Sequence, residues 1–450
     1  MPFNSYLFLL CFLPLAVLVY WLLPPAREAR TAWLLAAGAA FYLYGGGGYL
    51  LLLLAMTLVT FAAGRIMAGA RGPVARGLGL ALALSNLAVL AFFKYRAARG
   101  GALPLGVSFY TFNLLSYALD VWWGRAPAET SPLRFASYAT FFPAISSGPL
   151  VRYDDFRGQL EAPGRRSHLE LGVFNVAMGL GKKLLIADPL GAVIDPLFAA
   201  WGSLGFWGAW LAVLGYHFRV YFDFSGYTDI AIGVGYLLGF RLPPNFDAPY
   251  TSRSMTEFWQ RWHMSLSFWF RDYVFLPLAF ALRARDPGKN AAHARSTSLF
   301  VTMILIGLWH GATLPFLLWG VYQGLILSAH AAARQAGRKP WPPLAGRAAT
   351  FVALVAGWVI LRSGSLDMAG GIYAAMLGLR GFEAGPRAVA GVGTTYLVSL
   401  AVLLVLTNLR RDTSQLAPRP GWAYAAGLAA LLTLGLLSIG RPSPFLYLQF

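Results

Sequence analysis

The chain has 450 residues, of which 58% are hydrophobic and 12% are charged. Soluble domains usually contain about 45–50% apolar and about 25% charged residues, so a soluble protein, a disordered chain and a secreted disulfide scaffold are excluded. The net charge is +18, but the basic residues form short clusters between apolar runs. Such clusters indicate membrane topology and contact with anionic lipid, not nucleic-acid binding. We therefore expect an all-α polytopic membrane protein.

The first apolar run, residues 6–23, predicts a retained membrane helix, because no Lys or Arg precedes it and no small-residue cleavage site is seen. Basic residues in loops 24–31 and 64–77 place these loops in the cytoplasm and the N-terminus outside. Further apolar runs predict roughly ten to twelve transmembrane helices in all, with some re-entrant or interfacial helices. No polar linker is long enough to mark a second domain, so residues 1–450 are predicted to form a single membrane-embedded domain.

Residues 205–240 are apolar but contain several ionisable side chains, among them Arg219 and Asp223. Thirty-six residues exceed one membrane span. We therefore expect a broken helix whose unwound centre lies in a cavity. Arg219 and Asp223 are four residues apart and are expected to pair within one helix turn.

Residues 251–277 predict an amphipathic, partly interfacial helix. Ser254 and Glu257 have the spacing of a capping box at its start, and Glu257 and Arg261 form an i,i+4 pair. Aromatic and apolar residues recur at three- and four-residue steps, and His263 lies on this face. By itself, His263 fits a packing histidine better than a catalyst.

The run 299–320 has His310 about halfway along it, which predicts a position near the bilayer midplane. Gly307 and Gly311 form a G-x-x-x-G pair that lets another helix approach closely, and Pro315 predicts a kink one turn later. An ionisable residue at this depth is a functional candidate, here a general base. The alternative is a core histidine bonded to a backbone carbonyl.

Nucleotide-binding glycine motifs, the G-x-S-x-G elbow and the H-E-x-x-H motif do not occur in the sequence. The single cysteine, Cys11, excludes an intrachain disulfide and a cysteine-based metal site, and we expect no metal. Broken helices and charges at mid-membrane depth also fit a transporter or flippase, which stays open as an alternative of a different class.

Seven longer motifs follow one another along nearly the whole chain. They are LPLGVSFYTF (103–112), SSGPLVRYDDF (146–156), GLGKKLLIAD (179–188), YFDFSGYTDIAIG (221–233), PPNFDAPYTSRSMTEFWQRWHMSLSFWFRDYVFLPL (243–278), GLWHGATLPFLLWG (307–320) and SPFLYLQF (443–450). Together they resemble the membrane-bound O-acyltransferase (MBOAT) family, in particular its bacterial alginate O-acetyltransferase (AlgI-like) type. The D-alanyl transfer proteins of Gram-positive cell walls (DltB) are related.

The resemblance implies the MBOAT fold, a ring of membrane helices around a central funnel and tunnel, with core motifs in residues 103–320. It implies His310 and His263 as catalytic residues, with His310 acting as a general base or relaying the acyl group. Residues expected to bind or surround substrate are Trp309, Trp262, Trp259, Asp223, Tyr227, Asn245, Arg152 and Lys182. Arg152 and Lys182 would hold donor phosphates, although such residues also serve as ordinary topology markers.

The implied activity is transfer of an acyl group, here acetyl, from a cytoplasmic thioester to an exported polysaccharide such as alginate. The donor would be acetyl-CoA or an acyl-carrier protein, with no tightly bound cofactor. The expected partners are a periplasmic acetyltransferase or esterase-like enzyme and membrane lipids, in the bacterial inner membrane. Alternatives of the same fold are a D-alanyltransferase and an O-acyltransferase acting on lipid or protein.

Overall fold

The computed structural model describes residues 1–24, 27–161, 168–285, 291–382, 393–408, 412–416, 418, 421–440 and 445–446. These residues form helices and connecting turns, and no strand longer than an isolated bridge between Phe246 and Trp262 occurs among them. The all-α prediction is therefore confirmed for the described ranges. Of the terminal motif 443–450, only Phe445 and Leu446 lie within them.

In chain order, the described ranges contain α1 (Leu13–Leu22), α2 (Arg27–Gly46), α3 (Tyr49–Gly69), α4 (Pro73–Ala97), α5 (Val107–Trp122), α6 (Pro132–Ala139), α7 (Phe142–Ile145), α8 (Tyr153–Glu161), α9 (His168–Leu180), α10 (Asp188–Ala199), α11 (Phe206–Leu237), α12 (Met255–Arg261), α13 (Met264–Phe270), α14 (Leu276–Arg285), α15 (Ala291–His310), α16 (Leu314–Gln335), α17 (Pro343–Arg362), α18 (Leu366–Met376), α19 (Thr394–Asn408) and α20 (Trp422–Leu437). π-Helical segments occur at Leu7–Phe12, Gly181–Ala187 and Arg271–Phe275.

Several helix starts follow from local sequence. The hydroxyl of Ser131 accepts a hydrogen bond from the N–H of Arg134, and the hydroxyl of Ser254 accepts one from Glu257. These bonds satisfy N–H groups that the first helical turn leaves without a partner. Proline stands in the first turn of α4, α6, α16 and α17, where an N–H group would have no hydrogen-bond partner within the helix.

Five helices in the described ranges are long and apolar enough to cross a membrane, namely α3, α4, α15, α16 and α17. Three shorter apolar segments, Leu7–Leu22, Thr394–Asn408 and Trp422–Leu437, accompany them. A chain with this many apolar helices is a multi-pass membrane protein. The larger number of ten to twelve spans stays a prediction.

The chain divides into two compact units. The first comprises Met1–Gly181, Gly226–Pro244 and Ala417–Gln449, and the second comprises Lys182–Ser225 and Asn245–Leu416. Helix α11 contributes residues to both. In the first unit, the buried carboxylate of Glu129 accepts hydrogen bonds of 2.7 Å from the N–H groups of Thr130 and Ser131 and from Arg134. These bonds fix the start of α6.

The predicted break within residues 205–240 is wrong, because α11 continues from Phe206 to Leu237. The predicted pairing of Arg219 with Asp223 is also wrong. Arg219 contacts Asp195 at 2.6 Å, and Asp223 contacts Lys183 at 2.6 Å. Because partners from outside the helix neutralise these charges, the backbone can remain helical through the middle of the segment.

Candidate active site

His310 is the last residue of α15, and α16 begins only four residues later at Leu314. The prediction that His310 lies halfway along a single span is therefore wrong. Pro315 does not kink a helix either, because it lies in the first turn of α16. The two helices form an antiparallel hairpin, and His310 stands at its turn with 4% of its surface exposed.

Close packing of small residues holds the two arms of this hairpin together. A Cβ added at Gly307 would lie 2.5 Å from the carbonyl oxygen of Phe316 and 3.0 Å from the Cα of Gly320. One added at Gly320 would lie 2.7 Å from the carbonyl oxygen of Met303. The predicted close helix approach at Gly307 is confirmed, and α16 is the helix that approaches. This contact fixes the end of α15, and with it His310.

His263 lies at a break between two short helices. The predicted start after Ser254 is confirmed, and Glu257 pairs with Arg261 at 3.0 Å. A continuous helix beyond that point is wrong, because α12 ends at Arg261 and α13 begins at Met264. His263 has φ 44° and ψ 52°, in the left-handed region that a non-glycine residue rarely adopts.

Asn245 holds this break in place. Its side-chain oxygen accepts hydrogen bonds from the N–H of Ser265 at 3.1 Å and from its hydroxyl at 2.6 Å, and lies 3.4 Å from Nδ1 of His263. Its backbone carbonyl accepts a further bond, 3.0 Å long, from the N–H of Met264. Because Asn245 presents an acceptor, Nδ1 of His263 is assigned as the protonated nitrogen, which leaves Nε2 as the basic atom.

The two histidines share an aromatic neighbour. The ring of Trp309 lies 6.3 Å from that of His263 and 4.6 Å from that of His310, measured between centroids. Phe224 covers His263 at 4.6 Å, and Trp319 meets His310 edge-on at 5.2 Å. We call these five residues the histidine cluster. All five are buried, so the imidazoles stand in an environment of low polarity.

The other two predicted tryptophans lie around this cluster. Trp259 packs on Trp319 with 5.8 Å between ring centroids, and its indole N–H donates to Oε1 of Gln323 at 3.3 Å. Trp262 is buried further back, 5.4 Å from the ring of Trp358. Sequence reasoning missed Trp319 and Gln323, although Trp319 lies in the motif 307–320 and Gln323 is a polar residue within an apolar run.

Lys182 and Asp223 are engaged by charged partners. Asp223 lies against Lys183, which also contacts Asp188 at 2.8 Å. Lys182 contacts Asp412 at 3.2 Å. The predicted role of Lys182 in holding donor phosphate stays a prediction, and in this structure a carboxylate faces its ammonium group.

Asp412, which sequence reasoning did not single out, ties several segments together. Its carboxylate accepts hydrogen bonds from the hydroxyl of Tyr221 at 3.0 Å and from the N–H of Ala248 at 3.3 Å. The neighbouring Ser414 donates to the carbonyl of Phe246. Residues 412–415 therefore hold the segment that begins at Asn245, which in turn holds His263.

Arg152 and Tyr227 belong to the first unit. Arg152 directly precedes α8, and Tyr227, on α11, has its hydroxyl in contact with that of Ser146 and its ring 5.1 Å from that of Phe3. Their substrate roles stay predictions.

Across the described ranges, no three side chains of His, Cys, Asp or Glu come together as a metal site would require. The expectation that the protein binds no metal stays a prediction.

The described ranges form a multi-pass helical membrane protein with two buried histidines in an aromatic enclosure, and comparison with known proteins specifies its class. The model of the membrane-bound O-acyltransferase family matches residues 124–361. The chain belongs to this family and is an acyltransferase.

Three curated relatives illustrate the range of related activities. The probable alginate O-acetylase AlgI of Pseudomonas syringae pv. tomato is 36% identical, over 91% of this chain and 82% of that protein. The peptidoglycan O-acetyltransferase of Helicobacter pylori is 30% identical, over 84% and 80%. The teichoic acid D-alanyltransferase of Bacillus subtilis is 31% identical over shorter shares, 56% of this chain and 65% of that protein.

Proposed function

We propose that this acyltransferase moves an acetyl group from a cytoplasmic thioester, acetyl-CoA or an acyl-carrier protein, across the inner membrane for O-acetylation of an exported polysaccharide. A periplasmic acetyltransferase or esterase-like partner receives the group and delivers it. The observation that supports this most directly is the pairing of two buried histidines around Trp309. The similarity to alginate O-acetylases covers more of the chain than that to D-alanyltransferases, which favours acetyl over D-alanyl.

In the proposed reaction, a hydroxyl oxygen of the acceptor attacks the carbonyl carbon of the thioester. A carbon–oxygen bond forms and the carbon–sulfur bond breaks. His310 takes the hydroxyl proton and returns it to the departing thiolate, so the imidazole ends in the state in which it began. No charge then has to enter or leave the buried site.

His263 supports this step from the other side of Trp309. Nδ1 of His263 carries the proton and faces Asn245. Nε2 accepts a hydrogen bond from the hydroxyl of the acyl acceptor, or from the acyl donor, and so orients that reactant. Fixing two reactants in this way lowers the entropic part of the barrier. The left-handed conformation of His263 and the hydrogen bonds to Asn245 keep this orientation the same from one turnover to the next.

The proposed path needs a dry site open to both faces of the membrane. The funnel and tunnel, within a ring of ten to twelve helices, would admit the donor from the cytoplasm and the acceptor from outside. The tryptophans of positions 259, 262 and 309 exclude water that would hydrolyse the thioester. Asp223 and Asn245 line the proposed funnel, and Lys182 would exchange its contact with Asp412 for the donor phosphates.

The test is the amount of ester-linked acetate on isolated exopolysaccharide. The strains are wild type, a deletion, and the deletion carrying His310→Ala or His263→Asn at normal protein level. Loss of acetate in all three mutants, at unchanged polymer yield, supports the proposal. Unchanged acetate in the deletion would refute the polysaccharide acceptor. Loss of ester-linked D-alanine, or of an acylated lipid or protein, in the deletion would then identify one of the alternative acyltransferases.

Full acetate with His310→Ala would remove this residue from the chemistry. The transporter alternative rested on broken helices and on charges at mid-membrane depth, and the continuous α11 removes the broken helix at 205–240 from that support.

A further inference from the structure

Two buried N–H donors face α17, one in the histidine cluster and one next to it. They belong to Trp319 and Gln323, which are 1% and 2% exposed and lie one turn apart on α16. The indole nitrogen of Trp319 is buried and has no hydrogen-bond partner among the residues that the structure describes. A buried donor without an acceptor is costly, and such groups call for an explanation.

The orientation of Gln323 is fixed by its neighbour. Its Oε1 accepts the hydrogen bond from the indole N–H of Trp259, so the NH2 end of the amide points the other way. That end faces Gly357 on α17. A Cβ added at Gly357 would lie 2.9 Å from Nε2 of Gln323 and 3.7 Å from Nε1 of Trp319. Both donors therefore face the missing side chain of Gly357, whose Cβ position also lies 3.3 Å from Cε1 of Tyr322.

We propose that Trp319 and Gln323 form a two-donor site for the carbonyl oxygen of the acyl group, next to His310. This rests on the proposed role of His310 in acyl transfer. When the hydroxyl attacks, the carbonyl oxygen gains negative charge, and two N–H groups aimed at it stabilise that charge most strongly where water is excluded. Both residues are uncharged, so the site favours a thioester carbonyl over a carboxylate or a phosphate.

The edge-on contact between Trp319 and His310 supports this assignment. It joins a donor of the two-donor site to the imidazole that takes the proton. In this proposal Gly357 lacks a side chain because a Cβ there would crowd both donors and the oxygen that they bind. The tryptophan is required for its N–H as well as for its ring.

The experiment measures acetyl-CoA consumption in membranes as the donor concentration is varied. Trp319→Phe and Gln323→Leu each remove one donor, and we expect each to lower the maximal rate about 100- to 1,000-fold with little change in KM. Gly357→Ala fills the space and should do the same. Gly370→Ala, at a helical position with nothing within 4 Å, is the matched control and should keep the wild-type rate.

Trp259→Phe separates the hydrogen bond from the donor site. It breaks the same Trp259–Gln323 bond as Gln323→Leu but leaves both donors, so its loss should be much smaller. Equal losses for these two variants, or wild-type rates for Trp319→Phe and Gly357→Ala, would overturn the two-donor site. A wild-type rate for His310→Ala would instead overturn the proposed function, so the two failures are distinguishable.

A spectroscopic measurement distinguishes a donor site from mere packing. In the His310→Ala background, where the thioester persists, carbonyl-labelled acetyl-CoA is added and the infrared carbonyl stretch is recorded. We expect a shift to lower frequency that is reduced when Trp319→Phe or Gln323→Leu is added. A stretch that is the same with and without the two donors would overturn the proposal.

Discussion

Substitution of Gly307 by alanine should test whether the α15–α16 contact positions the catalytic histidine. The added Cβ would lie 2.5 Å from the backbone oxygen of Phe316, where ordinary contact begins at 3.4 Å. A backbone atom within a helix cannot rotate away, so the two helices must separate by roughly 1 Å. Overpacking of this kind costs about 1–3 kcal/mol. His310 lies three residues further on, and a displacement of this size reduces the rate of catalysis about a hundredfold.

The assay is acetyl ester formation in cells and acetyl-CoA consumption in membranes, each normalised to the amount of protein. Gly370→Ala is again the control, because it adds the same methyl group to a helix without a contact. Gly320→Ala separates the same helices, so the double variant should lose less than the two single losses combined. A wild-type rate for Gly307→Ala in correctly folded protein would refute the reasoning.

Three further predictions concern the groups around the site. His263→Asn should keep the fold, because asparagine tolerates the left-handed conformation, and lower activity at least a hundredfold; retained activity would exclude a role of the imidazole. Lys183→Met removes the cation 2.6 Å from buried Asp223 and should cost about 3–5 kcal/mol, most of which the Lys183→Met/Asp223→Leu variant recovers in thermal unfolding. Burial alone would raise the pKa of Asp412. Lys182 and the hydrogen-bond donors around the carboxylate together outweigh this effect, so the pKa lies below its ordinary value of 3.8. This carboxylate therefore stabilises the protein above that value and loses its effect as the pH falls through the folded-state pKa, so Asp412→Asn should remove this part of the pH dependence of Tm below about pH 5.

The class and family of this protein could be predicted from the sequence because their signals are local. Composition alone excludes a soluble chain, and apolar runs of sufficient length predict membrane helices. The Ser254 cap and the Glu257–Arg261 pair were also predictable, since each lies within a single helical turn. His263 and His310 stand in motifs that resemble those of the family, so the candidate site could be named before its geometry was known.

The errors about the charged residues have one physical source, which is that a charged residue in an apolar run does not reveal its partner. Asp223 and Arg219 suggested an unwound helix, but Lys183 and Asp195 neutralise them from segments that are 40 and 24 residues away. Asp412 is 230 residues from Lys182, and no local pattern indicates that they meet. The end of α15 at His310 was hidden because the apolar run continues into α16 without a charged residue.

The left-handed conformation of His263 shows how the fold favours a defined site over a more stable one. A non-glycine residue in this region costs about 1–2 kcal/mol, and glycine at this position would avoid that cost. The strain persists because Asn245 fixes the two residues that follow His263, by accepting hydrogen bonds from the N–H groups of Met264 and Ser265. A continuous helix through positions 261–264 would turn the imidazole away from Trp309 by the regular rotation of a helix. The break is therefore what brings His263 to the same tryptophan as His310, and a chain selected for stability alone would have no reason to keep it.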